Sequence, residues 1–433
     1  MGAIIAILLL IGLANWLKSS YIKQNRALNQ RYNWGVAFRI VGTVGYLIYA
    51  YYYSGGGVDA WIYDNWAERF ADYFRVLDFS PFYDETLWRN NQFFYTNFVA
   101  YPAAFFTIFT FDSEFGIYLL FSAVCFAGLV LLFKSFRKNY VFADQPKLMF
   151  WIFMFPALWF WTSTIGKDAF MFLGIGIVCL GITDKKLNYI YILLGLFILY
   201  AFRPPTAYVA VIALGSFFIL NLKDSLLMRI FKITTGVVII VLLANYLSEE
   251  WGIEEYSNEE LTELQSGTLR SNNYGSGALE EKSGGISSIP SGIVDVLARP
   301  FLWEIRNVFT AASAIEINAV LILLIIKRKS VGRFIKDSLS HRLSTFVLAF
   351  VFIYVVTVGL FENNIGLIAR HRAIIFPFLF LMAFAYDDKV QRSYQKFMWH
   401  KRKQAYEQEL AKRQKNKGID SANELNNNQN TVS

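Results

Sequence analysis

Charge is scarce in this chain. Only 17% of its 433 residues are Asp, Glu, Lys or Arg, against 55% hydrophobic and 18% aromatic. Cysteine is scarcer still: Cys125 and Cys179 both lie inside apolar runs, which excludes a disulfide framework and argues against a thiolate metal site. The first apolar stretch, Met1–Leu17, lacks a basic leader and a small-residue cleavage pattern, so it reads as a retained span rather than a signal peptide. No internal repeat is visible, and the paired halves common in transporters are therefore missing.

Long apolar runs recur instead. Runs of about 20 apolar residues read as spanning helices, because lipid offers nothing to hydrogen-bond the backbone. The expected fold is an all-α, polytopic integral membrane protein of about eleven transmembrane helices. The spans are Ala3–Leu17, Val36–Tyr53, Phe115–Phe133, Leu148–Trp161, Ala169–Ile182, Tyr189–Ala201, Ala207–Ile219, Ile233–Leu247, Val308–Ile326, Ser344–Leu360 and Ile374–Ala385. Tyr95–Phe111 reads as an interfacial or half-inserted helix. Residues 1–386 form the helical domain, with long loops at 54–114 and 248–305, and 387–433 form a basic tail.

The charges sort by loop. Lys18–Arg31, Lys134–Lys147, Lys185–Lys186, Lys223–Lys232, Lys327–Arg342 and the tail hold 29 of the 41 basic residues. Lys and Arg favour cytoplasmic loops, so the N-terminus is expected outside and the C-terminus in the cytoplasm. The basic balance then reports orientation, and no nucleic-acid partner is expected. Tyr394, Phe397 and Trp399 among lysines and arginines suit a helix lying on anionic lipid, and His341 and His400 suit headgroup contacts.

Outer turns carry a different chemistry. Lys167-Asp168, Arg203-Pro204-Pro205, Arg299-Pro300 and Arg370-His371-Arg372 interrupt or flank short spans on one face. Ionisable groups at membrane depth are costly unless they line a cavity or pair with one another. Arginine's planar fork suits phosphate and carboxylate oxygens, so the set points to a cavity for an anionic, lipid-linked substrate. A carboxylate could serve as base there; Asp59 and Asp168 are the candidates, with His371 a third. Asp59 and Asp168 could also hold a divalent cation through oxygen ligands; otherwise no cofactor is expected.

The stretch Ser54–Phe74 follows the second span and packs Asp59, Asp64, Glu68 and Asp72 among aromatic rings. Within it, Asp59-Ala-Trp-Ile-Tyr63-Asp-Asn-Trp-Ala67 resembles the first-loop signature of C-type membrane glycosyltransferases, especially family 39. The family's acidic pair is here Asp59-Ala60. The resemblance implies a GT-C-like fold, a sugar on a polyprenyl phosphate as donor, and a glycan, lipid or protein acceptor. It makes Asp59 the catalytic base, and beside it Asp64, Tyr63, Lys167, Arg203, Arg299, Arg370 and Arg372 are the expected substrate-binding residues. It also implies a bacterial plasma membrane and a role in surface glycan assembly. The FWTSTIGKD, Arg299-Pro300-Phe301 and Arg370-x-Arg372-x-x-x-x-Pro377 patterns are also similar to bacterial membrane proteins of surface-polysaccharide clusters and to oligosaccharide polymerases acting on lipid pyrophosphate. A non-catalytic scaffold or a transporter are the rival readings, the latter favoured by Glu316 inside the ninth span. Finally, Ser248–Pro290, acidic and then rich in Gly, Ser and Asn, is expected to form an outer flap.

Overall fold

Wherever the apolar sequence is described, it folds as helix. A computed structural model describes residues 1–22, 25–53, 59–88, 96–183, 187–219, 288–338, 341–362, 364–393, 395–396, 398–400, 403–404 and 407. The expected span Ile233–Leu247, almost all of the Ser248–Pro290 stretch and most of the tail lie outside the described residues.

In chain order the helices are α1 (Gly2–Tyr21), α2 (Arg26–Tyr52), α3 (Asp59–Arg75), α4 (Thr96–Phe109), α5 (Glu114–Asn139), α6 (Gln145–Met154), α7 (Pro156–Phe160) and α8 (Lys167–Thr183). There follow α9 (Tyr189–Phe202), α10 (Pro204–Ile219), α11 (Ile289–Ala298), α12 (Val308–Ile326), α13 (Arg328–Asp337), α14 (Arg342–Phe361), α15 (Ile365–Arg372) and α16 (Phe376–Phe384).

Among the described residues, five stretches are helical, long and apolar enough to cross a bilayer: Gly2–Ser20, Glu114–Asn139, Val308–Ile326, Arg342–Phe361 and Ile365–Phe384. The other expected spans that are described come out differently, for local reasons. Val36–Tyr53 is the C-terminal part of a longer helix that starts at Arg26, capped by the Asn25 side chain. Leu148–Trp161 is broken between α6 and α7, because Pro156 has no N–H to continue the ladder and Phe155 is extended. Ile374–Ala385 continues α15 through a tight turn at Ala373–Ile375, so the last span begins earlier, at Ile365. α8, α9 and α10 are helices of 17, 14 and 16 residues.

α5 is the axis of the bundle and packs against α8, α1 and α2. Its crossing with α8 needs glycine: a Cβ on Gly128 would lie 2.4 Å from the Phe172 carbonyl, and one on Gly176 would lie 2.5 Å from the Gly128 carbonyl. Small residues let membrane helices approach to backbone contact, where van der Waals packing replaces the missing hydrophobic drive. α11 and α14 meet the same way at Gly292 and Gly359. α3 and α4 form a side layer of stacked rings, Phe70 on Tyr101 and Phe74 on Phe105. Ile4, Leu8, Leu193, Phe197, Ile322 and Phe352 face outward; an exposed shell this apolar suits hydrocarbon, not water.

The two ends of the bundle differ. At one end the basic segments around residues 138–147, 327–342 and 386–389 converge, with Lys327 on Asp387, Arg333 on Asp388 and the Asp387 amide on the Phe142 carbonyl. The opposite end collects the start of α8, the α9–α10 turn, the entry to α12 and the α14–α15 turn.

Candidate functional site

At that opposite end, three consecutive residues close α15: Arg370, His371 and Arg372. Successive helical residues point roughly 100° apart, so the three side chains reach three different parts of the fold. Arg370 turns to α8, where its Nε donates to Asp168 Oδ2 at 2.6 Å. His371 turns to the α9–α10 and α14–α15 connections. Its Nδ1 lies 3.0 Å from Glu362 Oε1 and its Nε2 lies 2.6 Å from Arg203 Nη2. Tyr354 Oη donates to the His371 carbonyl. Arg372 turns inward to α11 and α12.

The tautomer of His371 follows from its partners. A guanidinium has no acceptor, so Nε2 must present its lone pair to Arg203, and Nδ1 carries the proton donated to Glu362. The ring is therefore neutral and held at both nitrogens. Burial works against ionisation of Glu362, but the His371 hydrogen bond and the charges of Arg203 and Arg370 outweigh it and hold the carboxyl below the usual range. Carboxylate, imidazole and guanidinium thus form one chain across segments 168 residues apart in sequence.

Arg372 is almost fully buried at 1% exposure, and its fork is engaged by protein. It donates to the carbonyls of Arg299 and Val296 and to Ser313 Oγ at 2.6 Å. Arg299 in turn is clasped by Glu304 and by Asp295 at 3.2 Å. These two arginines knit the α11–α12 connection to α15. They stand beside the site rather than opening on it.

Next to the cluster is a cavity of about 420 Å³. Tyr49, Tyr53, Trp161 and Phe309 supply aromatic walls, and Asn307 and Asn364 supply amides. Trp161 also borders the small void between Asp168, Arg370 and His371, so the two spaces share a wall. Both amide side chains cap helices: Asn307 accepts from Thr310 N–H at the start of α12, and Asn364 accepts from Gly366 N–H at the start of α15. The positive ends of two helices therefore meet this space. Arg370 is seated against Gly166, where an added Cβ would come within 3.2 Å of its Nη2.

Lys167, Asp168, Arg203, Arg370 and His371 are thus brought to one end of the bundle, with Lys167 opening α8 beside Asp168. Tyr63 is buried in the core, and Asp64 is half-buried with Glu68 and Glu114 as its charged neighbours. Burial first, then those two carboxylates, push the Asp64 carboxyl up to about 7, and among the described residues its Oδ1 has no hydrogen-bond partner. Helix α3 begins at Asp59, whose side chain lies outside the described residues. Among the described residues no group of three or more His, Cys, Asp or Glu side chains is arranged to hold a metal ion.

Two further residues belong to the picture. Glu362 sits in the same turn as the Arg370 motif, and its place between two spans was the available signal. Arg39 lies inside α2, fully buried, with Nη1 donating to the Leu158 carbonyl and Thr162 Oγ1. An arginine in the middle of an apolar run was its signal. It pins the break after α7 that leads into Lys167-Asp168. Compared with known proteins, the chain matches no family model, no curated protein and no solved structure.

Proposed function

We propose that this chain is a membrane glycosyltransferase that moves a sugar from a polyprenyl-phosphate donor to an acceptor hydroxyl on the extracytoplasmic face. One observation carries the reading: an aromatic and amide-lined cavity of about 420 Å³ shares Trp161 with the void at Arg370 and His371. Aromatic faces and amides suit a sugar ring, and a planar guanidinium suits the phosphate that leaves it.

In this reading the acceptor oxygen attacks the anomeric carbon as the bond from that carbon to the phosphate oxygen breaks. The electron pair leaves with the phosphate, and Arg203 and Arg370 stabilise the charge that builds there. Asp59 takes the acceptor proton, a role that rests on the first-loop resemblance. Asp168 is a positioning residue, because its carboxylate is already bound to Arg370.

A second reading is favoured by the Glu362–His371–Arg203 chain. In a polymerase acting on a lipid pyrophosphate, Arg203 would swing to the pyrophosphate and free the Nε2 lone pair of His371 to take the acceptor proton. The two readings separate by product. Purified protein with a polyprenyl-phosphate sugar should transfer single sugars, and Asp59→Asn should abolish transfer while His371→Asn retains it. A polymer ladder from a pyrophosphate-linked oligosaccharide, lost in His371→Asn and kept in Asp59→Asn, would replace the first reading by the second. No product from either donor with folded protein would remove both.

A further inference from the structure

The other end of the bundle holds a second cavity, of about 360 Å³, built from α6, the α12–α13 junction and the segment after α16. Lys147, Lys327, Arg328, Lys329 and Lys389 line it, with Asp387 and Asp388 the acids among its walls. Those acids are already committed. Asp387 accepts from Lys327 Nζ at 3.4 Å and from the backbone N–H of Lys389 and Val390, and Asp388 pairs with Arg333 at 2.5 Å. Lys147 is held by Asp144 at 2.8 Å. Arg328, Lys329 and Lys389 are exposed, and no carboxylate among the described residues pairs with them. The cavity therefore keeps a surplus of positive charge.

Its frame is firm. Ser330 Oγ donates to the Met382 carbonyl and accepts from the Tyr386 N–H, which locks α13 to the end of α16. Its rim is apolar on one side, because Ile326 at the end of α12 lines it, and Ile322 and Ile325 in the preceding turn are also exposed, at 55% and 63% against 69% for Ile326. A soluble phosphate compound would gain nothing from that stripe. A phospholipid would use both parts, its phosphate among the cations and its chains along the isoleucines. Long cationic side chains at a helix end reach the headgroup level readily and are drawn to an anionic surface.

We propose that this cavity binds the phosphate headgroup of an anionic phospholipid, with the acyl chains lying along Ile322, Ile325 and Ile326. The ligand, the residues and the end of the molecule are all distinct from those of the proposed sugar transfer. Full-length protein in mild detergent would be titrated with phosphatidylglycerol, with phosphatidylcholine of the same chains, and with inorganic phosphate, reading bound lipid by native mass spectrometry and thermal stability. Phosphatidylglycerol should remain bound and raise the melting temperature, and the other two probes should not. The variant Arg328→Gln/Lys329→Gln/Lys389→Gln should weaken that binding by tenfold or more. A charge-matched control outside both the cavity and the tail, Arg26→Gln/Lys138→Gln/Lys336→Gln, should leave it within twofold. Equal binding of phosphatidylcholine, an equal effect of inorganic phosphate, or equal losses in the cavity and control variants would each overturn the proposal.

Discussion

The two ends of this bundle use the same residue types for opposite purposes. At the α15 end, Asp168 is buried and Arg370 mostly covered, with side chains 11% and 17% exposed, and they meet across more than 200 residues of sequence. At the α13 end, Arg333 and Asp388 stand 41% and 42% exposed. Buried charge is expensive, so each group at the first end must have a defined partner and geometry. Exposed charge is screened by water and salt, so an exposed pair at the second needs no such match. Burial separates a pair whose geometry the fold must fix from a pair that water can replace.

Breaking the buried pair is the strongest test of this contrast. Asp168→Ala leaves the Arg370 charge buried without its carboxylate and should destabilise the protein by about 3–5 kcal/mol, seen as a collapse of membrane protein level. Adding Arg370→Met should recover most of that loss, since neither charge then remains. If the double variant were as poor as the single one, the pair would not be the unit that holds α8 to α15.

The arginines of the same end should divide next. Arg203→Lys keeps a charge but loses the fork that faces His371 and the proposed phosphate, so activity should fall tenfold or more with protein level unchanged. Arg372→Lys should act through the fold instead. A lysine cannot reach the Val296 and Arg299 carbonyls and Ser313 Oγ together, and about 1–3 kcal/mol of stability should be lost with the buried acceptors left unmet. A full-stability Arg372→Lys with lost activity would move Arg372 into the substrate site.

Much of this division was legible in the sequence, and the reasons for the rest are physical. Two sets of loops are readable because Lys and Arg are costly to carry across a bilayer, and the structure gathers the described basic segments at one end. Hydropathy also found the long helices. It cannot say what covers a helix: protein buries 89% of the Ile365–Phe384 window but only 28% of the Gly2–Ser20 window, although both are apolar enough to span. That is why the direction of each α15 side chain was beyond reach. Arg370 and Arg372 look equivalent in sequence, yet two residues of helical rotation send one to Asp168 and the other into backbone carbonyls. The break at Phe155-Pro156 was visible as a proline but not as the start of α7, because a proline is equally at home in the first turn of a helix. Arg39 stood inside an apolar run, and only the packing of α2 on the Leu158–Thr162 segment shows what it holds.

Asp64 gives a gentler test, because it is half-buried beside two other carboxylates. Its folded carboxyl sits near 7, above the value of about 3.9 in an unfolded chain. The folded state therefore binds the proton more tightly, so this group favours folding below about pH 4 and that contribution is lost as pH rises through 7. Asp64→Asn should flatten stability between pH 5 and 8 and raise it at pH 8. A thermal melt series across that range checks this, and an unchanged slope would mean that Asp64 is ionised and solvated at neutral pH.

The smallest effect is expected at the exposed pair. Arg333 and Asp388 lie at hydrogen-bond distance, 2.5 Å, and on geometry alone they look as strong as Arg370 with Asp168. Exposure decides otherwise. Water competes for both groups, and fixing two flexible side chains costs entropy, so such pairs contribute about 0–1 kcal/mol. Arg333→Gln, Asp388→Asn and the double variant should each shift stability by less than about 1 kcal/mol, with the shift shrinking further as salt rises from 0.05 to 0.5 M, where the screening length falls below about 10 Å. The double-variant cycle isolates the pair from the background charge of the basic end. A coupling as large as that of Asp168 with Arg370, insensitive to salt, would show that this end too contains a buried, directed interaction and would erase the contrast between the two.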